Sequence, residues 1–271
     1  MENERVRFPI NFKVSDITNK SWLQISETIR AVTYLFHAAD VYNQDTFIPL
    51  QIDSVPFIIP DPTDGEKISK ARVLDWLFRN AFSDFIKAIN ESLIAAYQFT
   101  ELQKLQANSE KSSMLYAEMM KKIEDLRAKP RSHNLPTLID RIETNLSSSL
   151  PLKNEILSIN NARNCLIHGN GVVSSRYINS SDDTLKLCYL DLDTYVLTDK
   201  WQLLTAEMKQ APFITHGVKM ELGKKELSFN IDEKLKINEH IFNAVAHTCA
   251  IFTNGVYEAL GINPADLIVE E

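Results

Sequence analysis

Residues 151–171 read PLKNEILSINNARNCLIHGNG, and this stretch decides the fold class. Pro151 suits a helix start, and Gly169 follows His168 where a helix would stop in a left-handed turn. At about 100° per residue, Leu152, Ile156, Ile159 and Leu166 share one stripe. The spacing therefore predicts a helix over 151–168. Arg163 falls within that stripe, where desolvating a guanidinium costs several kcal/mol unless it is paired. A carboxylate partner, or a groove that awaits a phosphate at a subunit interface, would account for it. Asn164 and His168 are four residues apart and share a face. Arg163 and His168 leave an ideal helix about 140° apart. They converge only if the helix loosens near Gly169, if Arg163 reaches around, or if a second subunit contributes.

Working outward, residues 69–107 contain neither Gly nor Pro and keep a helical apolar pattern through Leu74, Leu77, Phe78, Ala81, Phe85, Ile89, Ala96 and Phe99. They read as one long helix or two in series. A further helix covers about 110–128. Another covers about 135–148, with Asn134 as its cap and Pro136 in its first turn. The short links between them favour antiparallel neighbours in a bundle. Nearer the N-terminus, Val6, Phe8, Ile10, Phe12 and Val14 alternate as a strand does. Trp22, Ile25, Ile29, Val32 and Phe36 then form a helical stripe that Asn19 would cap. Residues 45–66 carry Pro49, Pro56, Pro60 and Pro62 and read as a loop.

After Gly171 the period changes. Val172-Val173 and Tyr177-Ile178 precede a turn at 179–183, and Leu185, Leu187 and Tyr189 alternate. Val218, Met220 and Leu222 alternate, a turn is expected at 223–226, and Leu227, Phe229 and Ile231 alternate again. Two hairpins are predicted, then a helix from Asp232 to about Leu260. The expected whole is mainly α: an antiparallel helical bundle with a small antiparallel β insert and a closing C-terminal helix. It forms one compact unit, with an N-terminal strand, helix and Pro-rich loop at 1–66, a helical core at 67–170, a β-rich insert at 171–232 and the last helix at 233–271.

The net charge of −7 argues against a protein that coats nucleic acid through a broad basic face. The three cysteines, Cys165, Cys188 and Cys249, are too scattered for a zinc knuckle or a disulfide framework, and read as free thiols in a reducing compartment. Neither a signal-peptide core nor a membrane-length apolar run occurs, so a cytoplasmic protein without a membrane partner is expected. Gly-x-Ser-x-Gly and the phosphate-binding Gly-x-x-x-x-Gly-Lys-Ser/Thr are absent.

The run Arg163-Asn164-x-x-x-His168, at the end of the last of four helices and followed by Gly-Asn-Gly, resembles the Arg-x4-6-His motif of the HEPN superfamily. The resemblance covers roughly residues 70–170. It implies a metal-independent endoribonuclease that uses no cofactor and no metal. His168 would be the general base for the ribose 2′-hydroxyl, Arg163 would stabilise the anionic phosphate, and Asn164 would orient the substrate or the imidazole. It further implies RNA as substrate, a homodimer with a composite active site, an antitoxin or regulatory protein as partner, and toxin or antiviral roles. The alternative within the same resemblance is a non-catalytic nucleotide- or protein-binding dimerisation module with a structural Arg163. A third reading has the β segment as the working part. Local positive charge at Arg127, Lys129, Arg131, His133 and Arg141, with Lys153 nearby, reads first as a solvated loop and second as a guide for RNA toward the site.

Other signals read as structural. His37 is expected to be packed, His240 and His247 are too far apart for a helical metal pair, and Asp191 and Asp193 read as charges protecting a strand edge. Trp22, Trp76 and Trp201 sit in apolar patterns and read as core.

Overall fold

The computed structural model describes residues 13–41, 70–109, 116–146, 148–205, 208 and 216–262. Six α-helices occur among them: α1 (Asn19–Val41), α2 (Lys70–Ser109), α3 (Tyr116–Ala128), α4 (Leu135–Glu143), α5 (Lys153–His168) and α6 (Glu239–Ala259). Three strands, β1 (Leu185–Leu197), β2 (Trp201–Leu203) and β3 (Gly217–Phe229), form an antiparallel sheet in the order β2-β1-β3. The fold is mainly α with a small sheet and a closing helix. The expected strand at 6–12 and the Pro-rich segment at 45–66 lie outside the described residues, and Val14 belongs to a 3-10 turn, Val14–Ile17.

The chain divides into two units. One comprises Met1–Gln24, Lys87–Leu157 and Thr248–Glu271; the other comprises Ile25–Ile86 and Ser158–His247.

In the first unit, α4 buries Leu135, Leu138, Ile139 and Ile142, the face set by its apolar spacing. The side chain of Asn134 accepts from the Thr137 N–H at 3.0 Å, which satisfies an N-terminal amide of α4 as its sequence position foretells. Beyond α4 the helix does not run on to 148. Asn145 instead turns its side-chain amide onto Thr100 Oγ1 (3.2 Å) and Glu101 Oε1 (3.1 Å) of α2. Glu143 accepts from the Leu150 N–H (2.8 Å) and from Lys153 Nζ (2.6 Å).

In the second unit, Phe78 and Phe85 of α2 stack on Phe242 of α6, with ring centroids 5.4 and 5.5 Å apart. The sheet joins α5 through Ser158. Its hydroxyl accepts from the Cys188 N–H (2.8 Å) and donates to the Cys188 carbonyl (3.2 Å). Both backbone groups face away from β3, on the side that β2 reaches only at 195–197.

The two predicted hairpins do not form. Residues 172–178 hold an isolated bridge, Val172 to Lys234, and a 3-10 turn, Ser175–Tyr177. Residues 223–226 do not turn. β3 runs straight through them, in register with β1 from Leu185↔Phe229 to Leu197↔Gly217. Gly223 is a mid-strand glycine that makes room. A Cβ there would lie 2.9 Å from the Asp193 carboxylate, which takes Lys225 Nζ at 2.8 Å. The chain reverses instead between β1 and β2. Asp191 and Asp193 lie on β1, which β3 pairs along its length and β2 pairs only at 195–197. Asp191 pairs with the exposed His240 (2.9 Å), and Asp193 pairs with Lys225. The last helix starts at Glu239, not at 232, and Asn19 is the first helical residue of α1 rather than its cap.

The tryptophans also depart from expectation. Trp22, Trp76 and Trp201 are 51%, 62% and 44% exposed. Beside Trp76, Leu77 and Phe78 take the core positions. Trp201 stands on the short strand β2 with Lys219 Nζ 5.2 Å from its ring centre. His37, expected to be packed, is exposed.

Ser158→Ala leaves two strand groups without the hydroxyl that serves both. It is expected to lower stability by about 1–3 kcal/mol, read as a fall of several degrees in melting temperature with unchanged helical circular dichroism.

Candidate functional site

On α5 the buried residues Glu155, Ile156, Ser158, Ile159, Ala162, Cys165 and Leu166 occupy one arc, and Ile167 and His168 lie outside it. Arg163 stands at the edge of the arc and is half-buried. Its Nη1 donates to Asn164 Oδ1 (2.9 Å) and its Nη2 to Ser83 Oγ on α2 (3.3 Å), while Nε is buried without a partner. Among the described residues Arg163 has no carboxylate partner, so no acidic side chain there offsets its charge. Asn164 shares the exposed side of the helix with His168. The His168 side chain is exposed, and among the described residues it makes no hydrogen bond.

The helix stays regular to its end. The Gly169 N–H donates to the Cys165 carbonyl at 2.9 Å, and the Gly171 N–H reaches the same oxygen at 3.0 Å. Helical geometry therefore keeps Arg163 and His168 about 140° apart around the axis. Gly169 is not the left-handed residue. Asn170 (φ 55°) and Gly171 (φ 77°) are. Gly169 serves close approach instead: a Cβ would lie 2.7 Å from Tyr177 Cε2 and 2.9 Å from the carbonyls of Cys165 and Val172.

Sequence reading missed the groups around this helix end. A pocket of about 350 Å³ is lined by Asp75, Trp76, Arg79, Asn170 and Lys234. Arg79 donates to the side chain of Asn170, to its carbonyl (3.1 Å) and to Asp75 (3.2 Å), and Lys234 Nζ meets the same Asp75 oxygen at 2.7 Å. Two cations against one carboxylate leave a net positive pocket with an exposed indole on its wall, two residues past His168. The one signal in the sequence was Arg79, a lone cation between Phe78 and Ala81 of an apolar face.

The expected RNA-guiding residues belong to the other unit. Arg127 lies in α3 and Lys129 in the 3-10 turn Lys129–Ser132, with side chains outside the description. Arg131 and Arg141 are exposed, and His133 is half-buried. Lys153 is matched by Glu143 and Asp140, and the hydrogen bond it donates to Glu143 is the main cause of its raised pKa, so its charge is already paired. Among the described residues no cluster of His, Cys, Asp and Glu could hold a metal, and no helix is long and apolar enough to cross a membrane. The cysteines are free. Burial pushes the Cys165 thiol up to about 11 and raises that of Cys249 as well. No family model, curated protein or solved structure matches the chain.

Two expected outcomes follow from this geometry. Gly169→Ala forces the loop off the helix end and costs about 1–3 kcal/mol, measured by denaturant unfolding. Iodoacetamide at about pH 8 labels Cys188 in the folded protein, while Cys165 and Cys249 react only after unfolding, as peptide mass spectrometry would show.

Proposed function

We propose that the chain is a HEPN-like, metal-independent endoribonuclease. The observation that carries the reading is an arginine held at the helix edge by neutral groups, Asn164 and Ser83, with an unpaired, solvent-reached His168 at the end of the same helix. An arginine so held can turn its donors to a phosphodiester, and an imidazole in water can take a proton from a substrate hydroxyl.

In this mechanism a neutral His168 accepts the proton of a ribose 2′-hydroxyl. The oxygen attacks the adjacent phosphorus and the 5′-oxygen leaves. The products are a 2′,3′-cyclic phosphate and a 5′-hydroxyl. Arg163 stabilises the charge that builds on the phosphoryl oxygens, and Asn164 links the guanidinium to the exposed face where the substrate lies. The angular separation of Arg163 and His168 favours a site completed by a second copy of the chain, arginine from one protomer acting with histidine from the other. Arg131, His133 and Arg141 are the proposed RNA contacts, with Arg127 and Lys129 in the same segment. A toxin or defence role held in check by a regulatory protein belongs to the same proposal.

A second reading is a binding or dimerisation module in which Arg163 is structural. The Arg163–Ser83 bond between α5 and α2 favours it.

Cleavage of single-stranded RNA in EDTA separates the two. The wild type is expected to yield cyclic-phosphate ends, and His168→Ala to lose about 100-fold or more in rate with an unchanged melting temperature. A mixture of His168→Ala and Arg163→Ala chains regains cleavage if the site is shared between protomers. Cleavage by His168→Ala at the wild-type rate would falsify the nuclease proposal. A binding module predicts no cleavage and an Arg163→Ala variant whose chief change is lower stability.

A further inference from the structure

In the first unit, Lys87, Asn90, Glu91 and Ile94 occupy one face of α2 at spacings of three and four, and with Arg131 and His133 they line a pocket of about 290 Å³. None of the five polar side chains makes a hydrogen bond or ion pair among the described residues. Two of them present buried atoms without partners: Asn90 Oδ1, an acceptor, and His133 Nε2. Buried polar groups in folded proteins are nearly always satisfied, so two unpartnered atoms on residues that line one pocket point to something that satisfies them.

The frame around them is rigid. The His133 N–H donates to the Pro130 carbonyl (3.1 Å), and the next residue, Asn134, caps α4. The backbone of His133 is thus held between a 3-10 turn and a helix start. Two unpaired cations, Lys87 and Arg131, face one carboxylate, Glu91, so the pocket has net positive charge in a chain of net charge −7. An arginine fork beside a lysine suits a phosphoryl group. The volume exceeds a bare phosphate and lies near the lower end for small-molecule pockets. Asn90 Oδ1 calls for an N–H or O–H donor on the same ligand, and Ile94 supplies an apolar wall.

From these observations we infer that the pocket binds a nucleotide, with its phosphate on Lys87 and Arg131 and a base or ribose donor on Asn90 and His133. The nucleotide is either a free nucleoside monophosphate or one residue of an RNA strand; the recognised chemistry is the same. The inference does not depend on cleavage at His168.

Calorimetric titration of the full chain with AMP, adenosine, inorganic phosphate and a short oligoadenylate tests it. AMP or the oligoadenylate is expected to bind, whichever is tighter identifying the source, and adenosine and phosphate to bind at least about tenfold more weakly than the better of the two. Lys87→Ala and Arg131→Ala each weaken that binding about tenfold without a change in melting temperature, since neither side chain makes a bond among the described residues. Asn90→Leu removes an unpaired buried acceptor, so it holds or raises stability while affinity falls. Titrating AMP into His168→Ala as well, a variant that alters no residue lining the pocket, keeps this test separate from that of the nuclease. Adenosine binding as tightly as AMP, phosphate binding as tightly as either nucleotide, unchanged affinity in both cation variants, or no binding of either nucleotide up to about 10 mM would each overturn the inference.

Discussion

The burial of one arc of α5 is the constraint on which the rest of the candidate site depends. Ile159, Ala162, Cys165 and Leu166 are turned inward, and the hydroxyl of Ser158 binds both backbone groups of Cys188 on β1. With the arc inside, a period of about 3.6 residues leaves each other side chain of the helix one place to go. Arg163 falls at the rim, within reach of Ser83, and His168 falls outside in water. Neither position is chosen by the polar residue itself. Both follow from where the apolar residues lie.

The link beyond the helix is equally determined by packing. Gly169 has no room for a side chain, and Asn170 and Gly171 take left-handed backbone conformations that turn the chain toward Lys234. Asn170 is then clasped by Arg79 of α2 through its side chain and its carbonyl. This joins the helix end to the positive pocket with Trp76 on its wall. A ligand in that pocket would touch Asn170, two residues after His168.

Sequence periodicity failed where two structures share one pattern. Val218, Met220 and Leu222 alternate, and so do Leu227 and Phe229, whether Gly223 marks a turn or sits within one long strand. What decides is Asp193, thirty residues earlier in sequence, whose carboxylate needs the space a Cβ would fill. The tryptophans fail for a related reason. An apolar stripe shows that a helix has a core side, but a large amphipathic residue such as Trp76 can stand at its margin.

By itself the sequence determined the helices, since their apolar spacing, the Asn134 cap and the absence of Gly and Pro across α2 act through local contacts. It also singled out Arg163, because a cation inside an apolar stripe is visible without coordinates, while Asn164 and His168 became candidates through the motif they resemble. The tertiary structure alone decided the strand pairing, the partners of Arg163, the Arg79 clasp on Asn170 and the two unsatisfied atoms of Asn90 and His133. Each of these joins groups far apart along the chain. Such contacts are set by how buried faces meet, and local propensity carries no information about which faces those are.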